Sequence, residues 1–240
     1  MAFLLELEQV TKSYGALKAT DGLSLSVAEG EALAVIGPNG AGKSTMFNLV
    51  TGDTRPDEGR IRFAGEDISA LAPHARSRLG IGRTYQIPHP FAKMTVFENL
   101  LVGAIFGAGQ TERESYDTCA EVLDLVGLLA RANAPAGSLT LLQRKRLELA
   151  RALALRPRLL LLDEIAGGLT EHECNELVET IRTIHSRGTT IVWVEHIVHA
   201  LVSIASRLIV INFGQKLAEG DPREVMADPR VREVYLGISA

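Results

Sequence analysis

The sequence has little cysteine and less tryptophan: Cys119, Cys174 and one indole in 240 residues. The two cysteines form no C-x-x-C pair, so a disulfide scaffold and a zinc ribbon are both disfavoured and a reducing compartment fits. Long apolar runs are missing as well; none approaches the ~18 residues that cross a bilayer. The opening MAFLLELEQV has no basic lead and no small-residue cleavage site. Glu6 and Glu8 alternate there with apolar neighbours, which predicts a strand instead of an export signal, and a cytosolic chain. No strong charge of one sign is present: 29 acidic against 25 basic residues leave a net charge of −4, which argues against a generic polyanion binder. Apolar residues make up 46%, enough for a sizeable core and too many for a disordered chain.

Short strand-like runs alternate with helical patterns, the mark of an α/β fold. The expected strands are residues 3–10, 23–27, 32–36, 60–64, 159–163, 190–194 and 208–211. Residues 95–155 read mostly as helix, an insert within that α/β core. Thr95 with Glu98, Thr111 with Glu114 and Thr170 with Glu173 are T-x-x-E capping boxes. Asp221 followed by Pro222 is a further helix start. Tyr116, Cys119, Leu123 and Val126 recur at helical spacing, as one apolar face would.

Residues 37–45 read GPNGAGKST and fit G-x-x-x-x-G-K-[ST] through Gly37, Gly42, Lys43 and Ser44. An apolar run precedes the motif and a helix is expected over 43–50. This strand–loop–helix context turns backbone N–H groups and the positive end of a helix toward one anion. Lys43 then reaches β- and γ-phosphates and the Ser44 hydroxyl ligates Mg²⁺. The motif indicates a nucleoside triphosphate and leaves kinase, GTPase and ATPase open. Further on, the apolar run 159–162 ends in Asp163 and Glu164. The carboxyl end of a buried strand is where open α/β sheets place ligands. Asp163 is expected to hold Mg²⁺ through water and Glu164 to act as base toward the attacking water.

With these motifs in order, the sequence resembles the ATP-binding-cassette (ABC) transporter ATPase family over nearly its whole length. Tyr14, in KSYG, matches the aromatic residue that stacks on adenine. Gln86, in GRTYQ, matches the glutamine that meets the γ-phosphate, Mg²⁺ and water. His196, in WVEH, matches the histidine at the γ-phosphate, and residues 139–155 occupy the place of the family signature and its helix. The resemblance implies a RecA-like P-loop core with an antiparallel β subdomain and a helical insert. It implies core residues 1–86, a helical subdomain 87–156 and core residues 157–240. ATP would be held by Tyr14, Gly37, Pro38, Asn39, Gly40, Ala41, Gly42, Lys43, Ser44 and Thr45. Ser44, Gln86 and Asp163 would hold Mg²⁺, and Glu164, His196 and Gln86 would serve catalysis. Thr140, Leu141, Leu142 and Gln143 would face a partner's nucleotide. The implied partners are a second ABC ATPase subunit, integral membrane permeases that hold the chain on the inner face of the membrane, and an extracytoplasmic solute-binding protein.

The stretches GALKATDGLSLSV, RTYQIPHPFAKMTVFENLLVGA, EHIVHAL and VREVYLG resemble the ATPase subunits of branched-chain amino-acid uptake systems. Cassettes for lipids or other solutes, and a weakly hydrolysing regulatory subunit, remain open. Residues 87–97, rich in proline and apolar side chains, are expected either to dock the membrane subunits or to pack in the insert. A nucleic-acid or ribosome-directed cassette would need two cassettes or a coiled coil, and a small-molecule kinase has no use for Gln86 or His196. Arg144, Lys145, Arg146 and Arg151 read as a solvated helical face and not a nucleic-acid contact, since no aromatics interleave them. Three departures stand out: LTLLQ where the family has LSGGQ, Ile165 where it has proline, and Thr170 where its loop ends in aspartate.

Overall fold

A computed structural model describes residues 3–236. Met1, Ala2 and the Gly237 that closes VREVYLG lie outside the described residues. The chain forms two compact units, Met1–Pro73 with Thr190–Ala240, and His74–Thr189.

The first unit begins with β1 (Phe3–Tyr14) and β2 (Leu17–Ala28), followed by β3 (Ala32–Ile36), α1 (Lys43–Thr51), β4 (Glu58–Phe63) and β5 (Glu66–Asp67). β1 pairs antiparallel with both β2 and β4, Leu7 lying opposite Leu25 and Ile61. The alternation read from the sequence holds: Leu5 and Leu7 are buried, while Glu6 and Glu8 are partly exposed. β1 runs past Val10, where the apolar pattern stops, because register shifts absorb Gln9, whose φ is +49°.

The second unit contains α2 (Pro73–Arg78), β6 (Ile81–Arg83), α3 (Val96–Val102), α4 (Glu112–Leu125), α5 (Leu141–Leu153), β7 (Leu159–Asp163) and α6 (Glu171–Ser186). β6 and β7 are parallel, with Gly82 opposite Leu160. Thr95, Thr111 and Thr170 each complete a capping box with the expected glutamate. Thr140 forms another with Gln143, a pair outside the T-x-x-E pattern. Gly103–Gly107 winds as a π-helix. A Cβ on Gly103 would sit 3.1 Å from Arg151 O, and one on Gly107 2.0 Å from a Leu155 methyl, so these glycines let the segment lie on the end of α5. Cys119, Leu123 and Val126 are buried as expected; Tyr116 is not, and instead meets Phe97 at 5.2 Å between ring centroids.

The chain returns to the first unit with β8 (Thr190–Val194), α7 (Val198–Val202), β9 (Arg207–Asn212), β10 (Gln215–Gly220), α8 (Pro222–Ala227) and α9 (Pro229–Leu236). β3 lies between β8 and β9, parallel to both, and β10 closes antiparallel on β9. β3 and β8 are buried along their whole length, as strands covered on both faces must be. The strands absent from the sequence reading, β5, β6 and β10, are short or polar and carry no periodic signal. Both cysteines are buried and neither is in a disulfide, and burial pushes the Cys119 thiol up to about 11.

One guanidinium ties the two sheets of this unit. Arg207, on β9, gives Nε and Nη2 to the two oxygens of Glu31 at 2.7 and 3.0 Å. It also donates to Ser26 O on β2 at 2.5 Å and pairs with Glu219 on β10. Removing it strands Glu31 in a mostly buried position. Arg207→Met is expected to lower the unfolding free energy by about 2 kcal/mol, the scale of charged hydrogen bonds lost from a partly exposed site. Burial raises the pKa of Glu219, but Lys216 and Arg207 outweigh it and hold the carboxyl below its ordinary value. The stability from Glu219 is therefore present at neutral pH and lost as pH falls through that depressed value. Urea titrations at neutral and acid pH check both effects, with the gap between wild type and variant narrowing in acid.

Candidate active site

Residues 37–42 link β3 to α1, and their course depends on missing side chains. A Cβ on Gly37 would lie 2.1 Å from Ile211 O, and one on Gly42 2.2 Å from Ala19 O. Gly40 and Gly42 hold φ of +79° and +105°, where a side chain is strained. The Gly214 N–H donates to Ala41 O at 2.9 Å, fixing the loop from the β9–β10 turn. Thr95, Thr111, Thr140 and Thr170 cap their helices, whereas α1 begins at Gly42 with no side-chain cap and no acid in its first turn. Its positive end is therefore met by no side chain of its own first turn, which suits an anion. Lys43 is buried and donates to Gly37 O at 2.7 Å and Pro38 O at 3.0 Å. Its neighbour Ser44 is exposed.

The other expected residues of this unit are surface groups. Tyr14 ends β1 with 49% of its surface exposed; its hydroxyl lies 3.4 Å from Thr54 Oγ1, and Lys12 Nζ stands 5.7 Å from the ring centroid. His196 follows β8 and is exposed, and its backbone N–H donates to the buried Glu195 carboxylate at 2.9 Å.

The second unit assembles the acids. Asp163 ends β7 and is 6% exposed. Arg83 Nη2 donates to its Oδ2 at 2.8 Å, and Thr84 Oγ1 accepts its backbone N–H at 3.2 Å. Glu164 leaves the strand with φ +44°, the left-handed region, which turns its side chain out of the buried row. Gln86 Nε2 donates to Glu164 Oε2 at 2.6 Å. Two residues separated by 78 positions, each singled out by motif alone, are thus in direct contact. Within this unit the second Asp163 oxygen and the Gln86 amide oxygen are donors of the kind a hard cation takes, and in the first unit the exposed Ser44 hydroxyl is another. Among the described residues no cluster of three or more His, Cys, Asp or Glu could hold a metal on its own.

Thr140 caps α5, accepting from Gln143 N at 3.4 Å while its own N–H donates to Gln143 Oε1 at 3.1 Å. Leu141, 46% exposed, projects from the first turn. Ile165 is fully buried, and Thr170 caps α6 with its hydroxyl. The solvated face expected of the basic run requires correction. Lys145 is only 3% exposed, and its Nζ donates to Gln86 O at 2.6 Å and Glu164 O at 3.4 Å. Arg83 and Lys145 were not singled out for this site. The only trace of either in the sequence is a basic residue within a motif or a helical run.

The family model described as ABC transporter matches residues 20–167, and one described as branched-chain amino acid ATP-binding cassette transporter matches residues 215–240. The chain belongs to the ABC transporter family, as one of its ATP-binding, ATP-hydrolysing subunits. It is 39% identical to the high-affinity branched-chain amino acid transport ATP-binding protein BraF of Pseudomonas aeruginosa, over 98% of each chain. It is 36% identical to the lipopolysaccharide export system ATP-binding protein LptB of Acidithiobacillus ferridurans, over 99% of this chain and 98% of that one. An ATP-binding cassette of an ABC transporter, solved in its ADP conformation, superimposes with a TM-score of 0.90 at 32% identity, covering 99% of this chain and all of that one. The α/β fold with a P-loop read from the sequence is that of these cassettes.

Gly42→Ala drives a methyl into Ala19 O and forces the loop to move. ATP affinity is expected to fall tenfold or more, about 1.4 kcal/mol, in a fluorescent-nucleotide titration. Gly188 has a φ of +95° but open space around it. Gly188→Ala should cost about 1 kcal/mol of stability and leave ATP affinity unchanged.

Proposed function

We propose that this chain binds and hydrolyses ATP to drive uptake of branched-chain amino acids through separate membrane subunits. The 2.6 Å bond between Gln86 and Glu164 carries the hydrolytic part of this reading. In it, Tyr14 stacks on adenine and residues 37–45 cradle the phosphates with backbone N–H groups and the Lys43 amino group. Ser44, Asp163 and Gln86 would hold Mg²⁺, which when bound neutralises phosphate charge. Glu164, its carboxylate held by the Gln86 amide, accepts the proton of the attacking water, and His196 donates to the γ-phosphate. The amino-acid part rests on the match over residues 215–240. The likeness to a lipopolysaccharide export protein keeps lipid cargo as the second reading.

Residues 87–156 serve in this proposal as the helical subdomain that meets the permeases. Within the second unit a groove of about 180 Å³ is lined by Arg83, Tyr85, Asn99, Glu148, Arg151 and Leu155. Ile87 and Phe91 are exposed, with Arg151 over the Phe91 ring at 5.2 Å, while Val96 is buried. Exposed apolar side chains around a charged floor suit a docked helix end. Such docking would place the chain on the inner face of the membrane; among the described residues no helix is long and apolar enough to cross it. An extracytoplasmic solute-binding protein completes the proposed system.

Glu164→Gln in the assembled transporter is expected to keep ATP binding and lose hydrolysis by two decades or more. Uptake of labelled leucine, isoleucine or valine should fall with it. Wild-type turnover would remove Glu164 as the base, and lost hydrolysis with intact amino-acid uptake would turn the cargo assignment toward lipid.

We also propose that two cassettes sandwich two nucleotides, with Thr140 to Gln143 facing the partner's phosphate. The capping box already engages the Thr140 hydroxyl, and Leu141 and Leu142 stand where glycine permits close approach. A pair of identical chains should then be a weak ATPase, and the natural partner a different cassette. Leu141→Gly with Leu142→Gly is expected to raise turnover of the identical pair by tenfold or more, since a placement error of about 1 Å costs on the order of a hundredfold. Steady-state phosphate release measures it; an unmodified pair with vigorous turnover that the double variant leaves unchanged rules the asymmetry out.

A further inference from the structure

Lys145 lies one turn into α5, in the middle of a basic run, yet it is 3% exposed and directed inward. Its Nζ bonds two backbone carbonyls, Gln86 O at 2.6 Å and Glu164 O at 3.4 Å. The side chains of those same two residues are bonded to each other. One amino group therefore fixes the main chain of both partners in the Gln86–Glu164 side-chain pair, which joins the glutamine loop to the acidic strand end. Glu164 holds a left-handed backbone, a conformation that is strained for a non-glycine residue. In that conformation a donor fixed on its carbonyl opposes relaxation toward an ordinary strand ending. Lys145 is also on the helix whose first turn carries Thr140, so a shift of α5 acts on Gln86 and Glu164 through this side chain.

We propose that Lys145 is a positioning residue for hydrolysis: its amino group, bridging Gln86 O and Glu164 O, keeps the Glu164 carboxylate and the Gln86 amide in register with each other and with the start of α5. The proposal rests on the reading that Glu164 and Gln86 serve the hydrolytic step. It differs from a role in nucleotide binding, because Lys145 acts on backbone atoms of two residues whose side chains do the chemistry.

The test uses the transporter complex with Lys145→Met, which keeps the stem and deletes the amino group, and Lys145→Arg, which keeps donors. Lys145→Met is expected to lower kcat about 10- to 100-fold, as misplacement of a catalytic group does, with KM for ATP within about twofold. Lys145→Arg should restore part of that loss. In a Glu164→Gln background, Lys145→Met should cost less than about twofold more, because its effect passes through a carboxylate already removed. Unchanged kcat in Lys145→Met overturns the proposal, and so does an equal fold-loss in both backgrounds, which marks a purely structural side chain. If Lys145→Met does not fold, Lys145→Gln, which retains a shorter donor, takes its place in the same cycle. Glu164→Gln alone separates the two levels: if it turns over like wild type, the hydrolytic reading has failed; if it is slow while Lys145→Met is not, only this inference has.

Discussion

Residues 37–42 can follow their course only because two main chains meet there without a side chain between them. The carbonyls of Ala19 and Ile211 stand 2.2 and 2.1 Å from where methyls on Gly42 and Gly37 would lie. That contact sets where α1 starts, and α1 starts with no cap of its own. A helix that starts this way carries a partial positive charge with no capping side chain and no acid of its own to meet it, and an anion suits that end. β3, β8 and β9 supply the rigid support, being buried and parallel, and the turn after β9 adds a backbone bond to Ala41.

The acidic half is organised on a different principle. There the controlling groups are long basic side chains that reach inward and are satisfied by oxygen. Arg83 pairs with Asp163 where both are under one-tenth exposed, a geometry in which loss of either partner leaves an uncompensated charge. Lys145 spends its donors on carbonyls. The Asp163 carboxylate is thus oriented by a cation, and Glu164 by a cation on its main-chain carbonyl and an amide on its carboxylate.

Much of this was legible in the sequence because local physics determines it. The strands over 32–36, 159–163 and 190–194 were placed to the residue, since short apolar runs between breakers admit few endings. The capping threonines at 95, 111 and 170 were visible because side chain and backbone pair within four residues. Glu164 was legible from the end of an apolar strand and Gln86 from the resemblance, and no spacing rule could have told that they touch. Arg83 and Lys145 escaped because a basic residue within a motif or a helical run resembles a solvated one until tertiary contacts turn it inward. β6 and β10 were missed because three residues in one and an edge position in the other leave no pattern. The π-helical turn at Gly103–Gly107 is set by the close approach of α5, which the local sequence does not record.

The irregular pairing of β1 with β2 bears on how the protein behaves in concentrated solution. β2 is the outer strand of its four-stranded sheet, and its ladder with β1 slips register between Phe3 and Leu5, Leu7 and Val10, Val10 and Lys12, and Lys12 and Ser13. Each slip adds local twist and breaks the even spacing of main-chain groups along the ribbon. An edge so coiled offers no flat run onto which a strand of another molecule could be laid, and the Asp21 N–H of β2 is already taken by Gly214 O. The same bulges that let Tyr14 finish a twelve-residue strand therefore guard that strand pair against cross-molecule zippering during synthesis and storage.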